Sequence, residues 1–86
     1  MPYETLLKLS KYEQLLNVAS ELLKAKEWQK NEDRFLVLLE KALNLIDILL
    51  TDPKWQDNYY FLLKLREEIV KVYIKDQPIE DVLKIL

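Results

Sequence analysis

The chain has 86 residues and a mass of 10.4 kDa, with 13 Lys and Arg against 15 Asp and Glu, for a net charge of −2. It contains no glycine, no histidine and no cysteine, which removes the usual metal ligands, general bases and soft nucleophiles. Glycine-rich phosphate loops and dinucleotide fingerprints are excluded for the same reason, and the nearly balanced charge gives no general attraction to nucleic acid or an anionic membrane. We therefore expect no enzyme activity, no metal site and no cofactor.

Length and cysteine content predict a single domain over residues 1–86 in the cytoplasm. A chain of this size buries a little over about 60% of its unfolded surface, which suffices for one core without metals or disulfides. No disulfide is possible without cysteine, which favours a reducing compartment. The apolar runs are far shorter than the roughly 20 residues that cross a bilayer, and Met1-Pro2-Tyr3-Glu4 has no signal-peptide character. Abundant Lys and Glu are typical of thermophile proteins.

The first predicted helix runs from about Tyr3 to Glu27. Its apolar residues recur at intervals of three and four, as in an amphipathic surface helix. The main stripe consists of Leu9, Tyr12, Leu16, Ala19 and Leu23, widened by Leu15, Val18 and Leu22. Ser10 and Glu13 fall on the opposite, polar face. The following turn covers residues 28–33, where Asn31 or Asp33 can cap the next helix.

The second predicted helix, from about Asp33 to Leu50, is the most apolar of the chain. Its apolar residues cover about half its circumference at 100° per residue, and Val37 and Ile48 lie among its few polar residues. A helix of this kind is expected between two others, or partly covered by a partner. Its apolar excess could also close a homodimer around a two-fold axis.

Prolines mark the starts of the last two predicted helices. Asp52 can cap a third helix that runs from about Pro53 to Lys75. Asp76 repeats this pattern of a cap followed by a proline before a short last helix from about Pro78 to Leu86. Nine residues do not form a stable isolated helix, so this segment docks on the bundle, swaps onto a neighbour or binds a partner. The apolar side of this last helix, which would contact the bundle or a partner, comprises Ile79, Val82, Leu83 and Leu86. The predicted fold is all-α, an antiparallel three-helix bundle with a short fourth helix at the C-terminus.

Four positions in the second and third predicted helices are candidates for partner binding. Arg66 falls within the apolar stripe of the third helix, where it either pairs with Asp47 or Glu40 or reaches an acidic group of a partner. Tyr60 shares a polar face, and Tyr is enriched at interface hot spots. Val37 and Ile48 form a strip that either the last helix covers or another protein binds.

Other polar groups have simpler interpretations. Ser10 and Ser20 are expected to be solvated hydroxyls, because nucleophilic catalysis needs an adjacent base. Glu67 and Glu68 are expected to be a solvated pair. Trp28 lies among lysines, where it either packs on the turn or stacks on a nucleic-acid base.

Two families resemble parts of this chain. Ala42-Leu43-Asn44-Leu45-Ile46 in the second helix and Leu65-Arg66-Glu67-Glu68-Ile69-Val70 in the third resemble the microtubule-interacting-and-trafficking domain. In size and composition the whole chain is similar to the small accessory subunits of crenarchaeal B-family replicative DNA polymerase holoenzymes, although no motif carries this resemblance. It implies an archaeal, cytoplasmic subunit without activity of its own that docks on the polymerase.

The sequence thus predicts a non-catalytic protein–protein interaction module, an accessory subunit that docks on a larger complex such as a replicative DNA polymerase in DNA replication. The alternative is a virus- or mobile-element-encoded inhibitor that occupies a surface of a host machine. A nucleic-acid-binding module is less favoured, because acidic residues are interleaved with the basic ones. We expect no sequence-specific nucleic-acid binding and no membrane association, and a homodimer is possible.

Overall fold

The protein is all-α, as the periodicity predicts. The computed structural model describes residues 3–86, and no strand occurs in that range. The elements are α1 (Tyr3–Lys8), α2 (Lys11–Glu27), α3 (Glu32–Leu49), a 3₁₀ helix (Pro53–Asn58), α4 (Tyr59–Tyr73) and α5 (Ile79–Leu83). Met1 and Pro2, on which the expectation of no signal peptide partly rests, lie outside the described residues.

The prediction of one continuous first helix is wrong, because a capping box interrupts it at Ser10. The Ser10 hydroxyl accepts a hydrogen bond from the Glu13 backbone N–H at 3.2 Å, and the Ser10 N–H donates to the Glu13 carboxylate at 3.2 Å. These reciprocal bonds satisfy amides that otherwise lack partners at the start of a helix. Residues 3–8 therefore form a separate short helix.

The two predicted caps that precede α3 and the 3₁₀ helix are confirmed. The Asn31 side chain accepts from the Arg34 N–H at 3.2 Å, and Asp52 accepts from the Lys54 N–H at 3.0 Å, followed by Pro53 in the first turn. The helix that starts at Pro53 is nevertheless a 3₁₀ helix up to Asn58. The predicted third helix is thus two elements, and its α-helical part begins at Tyr59.

The end of α4 is a Schellman motif built on a lysine instead of a glycine. Lys75 adopts φ 65°, the left-handed conformation that glycine usually supplies at this position. The Asp76 N–H donates to the Lys71 carbonyl at 2.7 Å, and the Lys75 N–H donates to the Val72 carbonyl at 3.0 Å. The predicted cap at Asp76 is wrong, because α5 begins after Pro78 without a side-chain cap.

The helices share one hydrophobic core. Helix α3 packs against α2 and α4, and α5 packs against α2 and α4. Asp47 near the end of α3 pairs with Arg66 of α4, and Glu32 at the start of α3 pairs with Lys75 just after α4, so these two helices are antiparallel. The core residues are Leu6, Val18, Leu22, Ala25, Leu38, Leu39, Ala42, Ile46, Leu49, Trp55, Leu62, Leu65, Ile69, Val72, Ile79 and Val82.

A buried polar network joins α1, α2 and the 3₁₀ helix. The Gln14 amide donates to the Leu6 carbonyl at 3.0 Å and to the Asp52 carboxylate at 2.8 Å, and its oxygen accepts from the Trp55 indole N–H at 2.7 Å. Gln14 is completely buried, and its amide is fully used by these bonds. Such a network fixes the relative position of its elements, because each member depends on the others for its partners.

Lys54 closes this network toward the solvent. Its ammonium lies 3.0 Å from the Asp52 carboxylate and donates to the Leu7 carbonyl at 2.7 Å. Burial by itself raises the pKa of Asp52, but the hydrogen bonds from Gln14 and Lys54 and the charge of Lys54 outweigh it and hold that pKa below its usual value. Asp52 is therefore a carboxylate near neutral pH.

Candidate protein-interaction surfaces

Helix α2 buries the side opposite to the one that its main apolar stripe predicts. Gln14, Val18, Leu22 and Ala25 face the core. Of the main predicted stripe, Tyr12, Leu16 and Leu23 are exposed instead. Val18 and Leu22, which widen that stripe, are in the core as predicted. Both sides of α2 carry apolar residues at helical spacing, so its periodicity does not select between them, and the neighbouring elements determine which side is buried.

The exposed stripe forms a continuous apolar surface, which we call the α2 seam and define as Tyr12, Leu16, Ala19 and Leu23. Tyr12 is 72% exposed, Leu16 49% and Leu23 53%. The residues are spaced four, three and four apart, the spacing with which one helix packs against another in a coiled coil. The seam is therefore suited to receive a helix.

A second candidate surface lies on the outer side of α3. Val37 is 47% exposed, and α5 packs mainly against α2 and α4. One interpretation of the Val37–Ile48 strip required the last helix to cover it. Because Val37 stays exposed in the structure, the last helix does not cover this residue.

Two grooves border this outer side. The α3–α4 groove, of about 430 Å³, is lined by Val37, Glu40, Lys41, Leu43, Asn44, Asp47 and Arg66. The α2–α3 groove, of about 300 Å³, is lined by Asn17, Glu21, Lys41, Asn44, Leu45 and Ile48. The structure thus brings Val37 and Arg66 to one groove and Ile48 to its neighbour, with Lys41 and Asn44 common to both.

Arg66 pairs with Asp47, one of its two predicted partners within the chain. Its Nε donates to the Asp47 carboxylate at 2.8 Å, and both side chains are about half exposed. The hydrogen bond and the charge of Asp47 raise the pKa of Arg66, against a smaller opposing effect of burial. Arg66 lies at the edge of α4 rather than in the core, so its burial carries little cost.

Tyr60 does not join the other candidates. It is 89% exposed on α4 and lines neither groove. Its neighbours Tyr59 and Leu63 are also exposed, which gives α4 a small apolar surface of its own. A role of Tyr60 in partner binding stays a prediction.

Two residues of the last helix are part of the core and are not free to bind a partner. Ile79 and Val82, two of the residues predicted to contact a partner, are completely buried in a helix that packs against α2 and α4. Leu83 is partly buried against the same core, and Leu86 is 38% exposed. The alternative in which the last helix docks on its own bundle is the one that the structure contains.

A polar contact with α4 holds the segment before α5. The Gln77 amide donates to the Glu68 carbonyl at 3.0 Å and to its carboxylate at 2.5 Å, and Lys64 lies 2.8 Å from the same carboxylate. The hydrogen bonds from Lys64 and Gln77, together with the charges of Lys64 and Lys71, lower the pKa of Glu68 against the effect of burial. The expectation of a solvated Glu67–Glu68 pair is wrong for Glu68, whose side chain is buried beneath this segment.

Trp28 packs on its turn and is partly exposed. It caps the end of α2, and the Arg34 guanidinium stacks over its ring at 4.9 Å from the centroid. One face of the indole is therefore already occupied by a cation. This arrangement favours the turn-packing interpretation over stacking on a nucleic-acid base.

Residues 3–86 gather no group of three carboxylates that could hold a metal ion. None of the helices in this range combines the length and apolar character of a membrane span. Comparison of the chain with protein-family models, with curated proteins and with solved structures finds no match. The functional argument therefore rests on the two surfaces described above.

Proposed function

We propose that this chain is a non-catalytic protein–protein interaction module whose α2 seam binds an amphipathic helix of a larger partner. The observation that carries the proposal is the exposure of Tyr12, Leu16 and Leu23 at coiled-coil spacing on a helix whose other side already completes the core. This apolar stripe is not buried in the core of its own chain, and the opposite face of α2 holds the helix in place. Such a stripe is typical of a docking surface.

A larger partner accounts for the seam better than a second copy of the chain. A standard interface uses about 20 to 30 residues on each side, and the seam supplies four. A larger protein can contact the seam with one helix and add contacts around it. A homodimer closed on α2 alone would not reach a typical interface size.

Photo-crosslinking tests this proposal. A benzoylphenylalanine at Leu16 is expected to crosslink a discrete partner in cell extract, whereas the same group at Ile74, an exposed apolar residue directly after α4, is not. Leu16→Glu with Leu23→Glu should abolish the crosslinked product and leave the circular-dichroism spectrum unchanged. Equal crosslinking from both positions would contradict the proposal, and a crosslinked dimer of the chain would show that the seam binds a second copy.

A crenarchaeal B-family replicative DNA polymerase is the first partner to test, because the resemblance in size and composition implies it. If the chain is an accessory subunit, the polymerase keeps or gains activity in the complex. If the chain is an inhibitor of a host machine, the activity falls. The predicted cytoplasmic location stays part of the same proposal.

A further inference from the structure

The middle of the α2 seam has the residue pattern of a hole that one large side chain of a partner helix can fill. In a coiled coil, each inserted side chain occupies a hole between four residues of the facing helix. Four residues of α2 have this arrangement, at positions i, i+3, i+4 and i+7, and we call them the α2 hole: Leu16, Ala19, Ser20 and Leu23. The two leucines and Ser20 are exposed, and Ala19 is half-buried. Because the central pair, Ala19 and Ser20, is small, an inserted side chain can contact both leucines.

The neighbouring holes along the seam are less suited to a large side chain. Toward the start of α2 the central pair is Leu15 and Leu16, and toward its end the central pair is Leu22 and Leu23. Leucines at these central positions leave less room between the two helices than alanine and serine do. A large side chain of a docked helix is therefore best accommodated at the α2 hole.

A row of acidic residues borders the α2 hole on the side of Ser20. Glu13, Ser20 and Glu27 are seven residues apart, so they lie in one line along α2, at a position that flanks a coiled-coil seam. All three are exposed, and within residues 3–86 Glu27 forms no ion pair. Glu13 uses one carboxylate oxygen on Ser10. Each end of the row thus presents a negative charge to a docked helix.

The basic residues of α2 do not occupy the positions that flank the seam. The Lys24 ammonium lies 3.5 Å from the Glu21 carboxylate, and Lys26 lies in line with the seam, beyond its last leucine. The flank opposite the acidic row consists of Leu15 and Leu22, which pack on the core. The charge in the flanking positions is therefore negative.

We propose that the helix bound by the α2 seam inserts one large apolar side chain into the α2 hole and places lysine or arginine beside Glu13 and Glu27. This inference rests on the proposed function of the seam and specifies the chemistry of its partner. The inserted side chain follows from shape, because both an empty space and an overfilled one weaken packing. The basic flank follows from charge, since opposite charges at flanking positions determine partner choice between helices.

Binding of synthetic helices, followed by fluorescence anisotropy, tests the inference. The lysine peptide, of about three heptads, has leucine where it faces the seam and lysine on both flanks, where like charges oppose its self-association. It should bind the chain saturably below about 1 mM. The glutamate peptide, with glutamate on both flanks, should bind at least about fivefold more weakly at low salt, and this difference should shrink at high salt. The lysine peptide with alanine in place of its central leucine should bind at least about tenfold more weakly.

Variants of the chain separate insertion into the hole from general apolar attraction. Ala19→Leu adds apolar surface to the seam but fills the hole, so the lysine peptide should bind at least about fivefold more weakly. Ser20→Ala keeps the hole open and should change the Kd by less than about twofold. Glu27→Lys should weaken binding of the lysine peptide about two- to fivefold and strengthen binding of the glutamate peptide by a similar factor. Glu67→Lys makes the same change of charge on α4 and should leave both unchanged.

The outcomes separate this inference from the proposed function of the seam. Equal or tighter binding by Ala19→Leu would overturn the insertion, and equal binding of the lysine and glutamate peptides at low salt would overturn the basic flank. Absence of saturable binding by the lysine peptide would overturn both. A partner that crosslinks at Leu16 irrespective of these results would leave the proposed function standing. If circular dichroism shows that Ala19→Leu does not fold, the peptide with a central alanine decides, because it leaves the chain unchanged.

Discussion

Gln14 offers the sharpest test of the buried polar network. In Gln14→Leu the Trp55 indole N–H loses its acceptor, at about 1–3 kcal/mol for an unsatisfied buried donor. Asp52 loses a charge-assisted bond of about 1.5–3 kcal/mol and keeps its contacts with Lys54. The Leu6 carbonyl loses about 1 kcal/mol but still accepts from the Leu9 N–H at 3.2 Å. Allowing about 1 kcal/mol for the added apolar burial, we expect a net loss of about 2.5–6 kcal/mol in the free energy of unfolding.

Urea unfolding followed by circular dichroism and tryptophan fluorescence measures this loss. For a chain of this size the same change lowers the Tm by about 10–48 °C, at about 4–8 °C per kcal/mol. Gln29→Leu is the matched control, since Gln29 is exposed and donates only to the Lys26 carbonyl within its own turn; its effect should stay within about 0.5 kcal/mol. A loss below about 1 kcal/mol for Gln14→Leu, with an unchanged m-value, would refute the reasoning that the three bonds act together.

Three further predictions concern the acid response, the end of α4 and the last helix. The pKa values of Asp52 and Glu68 are lowered in the folded chain. The two carboxylates therefore stabilise the fold fully above their unfolded-state pKa values, near about 4, and this contribution is lost as the pH falls through the folded-state values. In Asp52→Asn and Glu68→Gln the free energy of unfolding should fall less steeply between about pH 5 and pH 2. Lys75→Gly should be more stable than Lys75→Ala by about 1 kcal/mol in urea titrations, because only glycine adopts the left-handed conformation at this position without a steric cost. Equal stability of the two variants would contradict this. Ile79→Ala should cost about 2–5 kcal/mol, against less than about 1 kcal/mol for the half-exposed Leu86→Ala; an equal cost would mean that α5 does not complete the core.

The helix boundaries could be predicted where a polar side chain or a proline marks them. The predicted second helix, residues 33–50, differs from α3 by one residue at each end. The break at Ser10 was also readable, because Ser10 followed by Glu13 is a capping-box pattern. The helical periodicity of the same segment instead predicts a solvated Ser10 hydroxyl on the polar face of one continuous helix. The change from 3₁₀ to α-helix at Asn58 has no comparable sequence signal.

The buried side of α2 could not be predicted from its own residues. The face that contains Val18 and Leu22 also contains Gln14, and the face that contains Tyr12 and Leu16 is the more continuously apolar. Hydrophobic spacing therefore favoured the wrong side. Gln14 is tolerated inside because Leu6, Asp52 and Trp55 supply its partners, and those partners are distant in sequence. The α2–α3 groove escaped prediction for the same reason, since its acidic and apolar residues lie on different helices.

The Gln14 network also determines the alignment of the elements that it joins. Leucine and isoleucine surfaces tolerate sliding by a helical turn, because one methyl group replaces another at little cost. A buried amide with three directional partners does not, since a shift of one turn, about 5.4 Å, would break all of its bonds at once. Gln14 therefore selects a single register of α2 against residues 53–58, and a variant that lacks it should sample several registers even where its average helix content is unchanged.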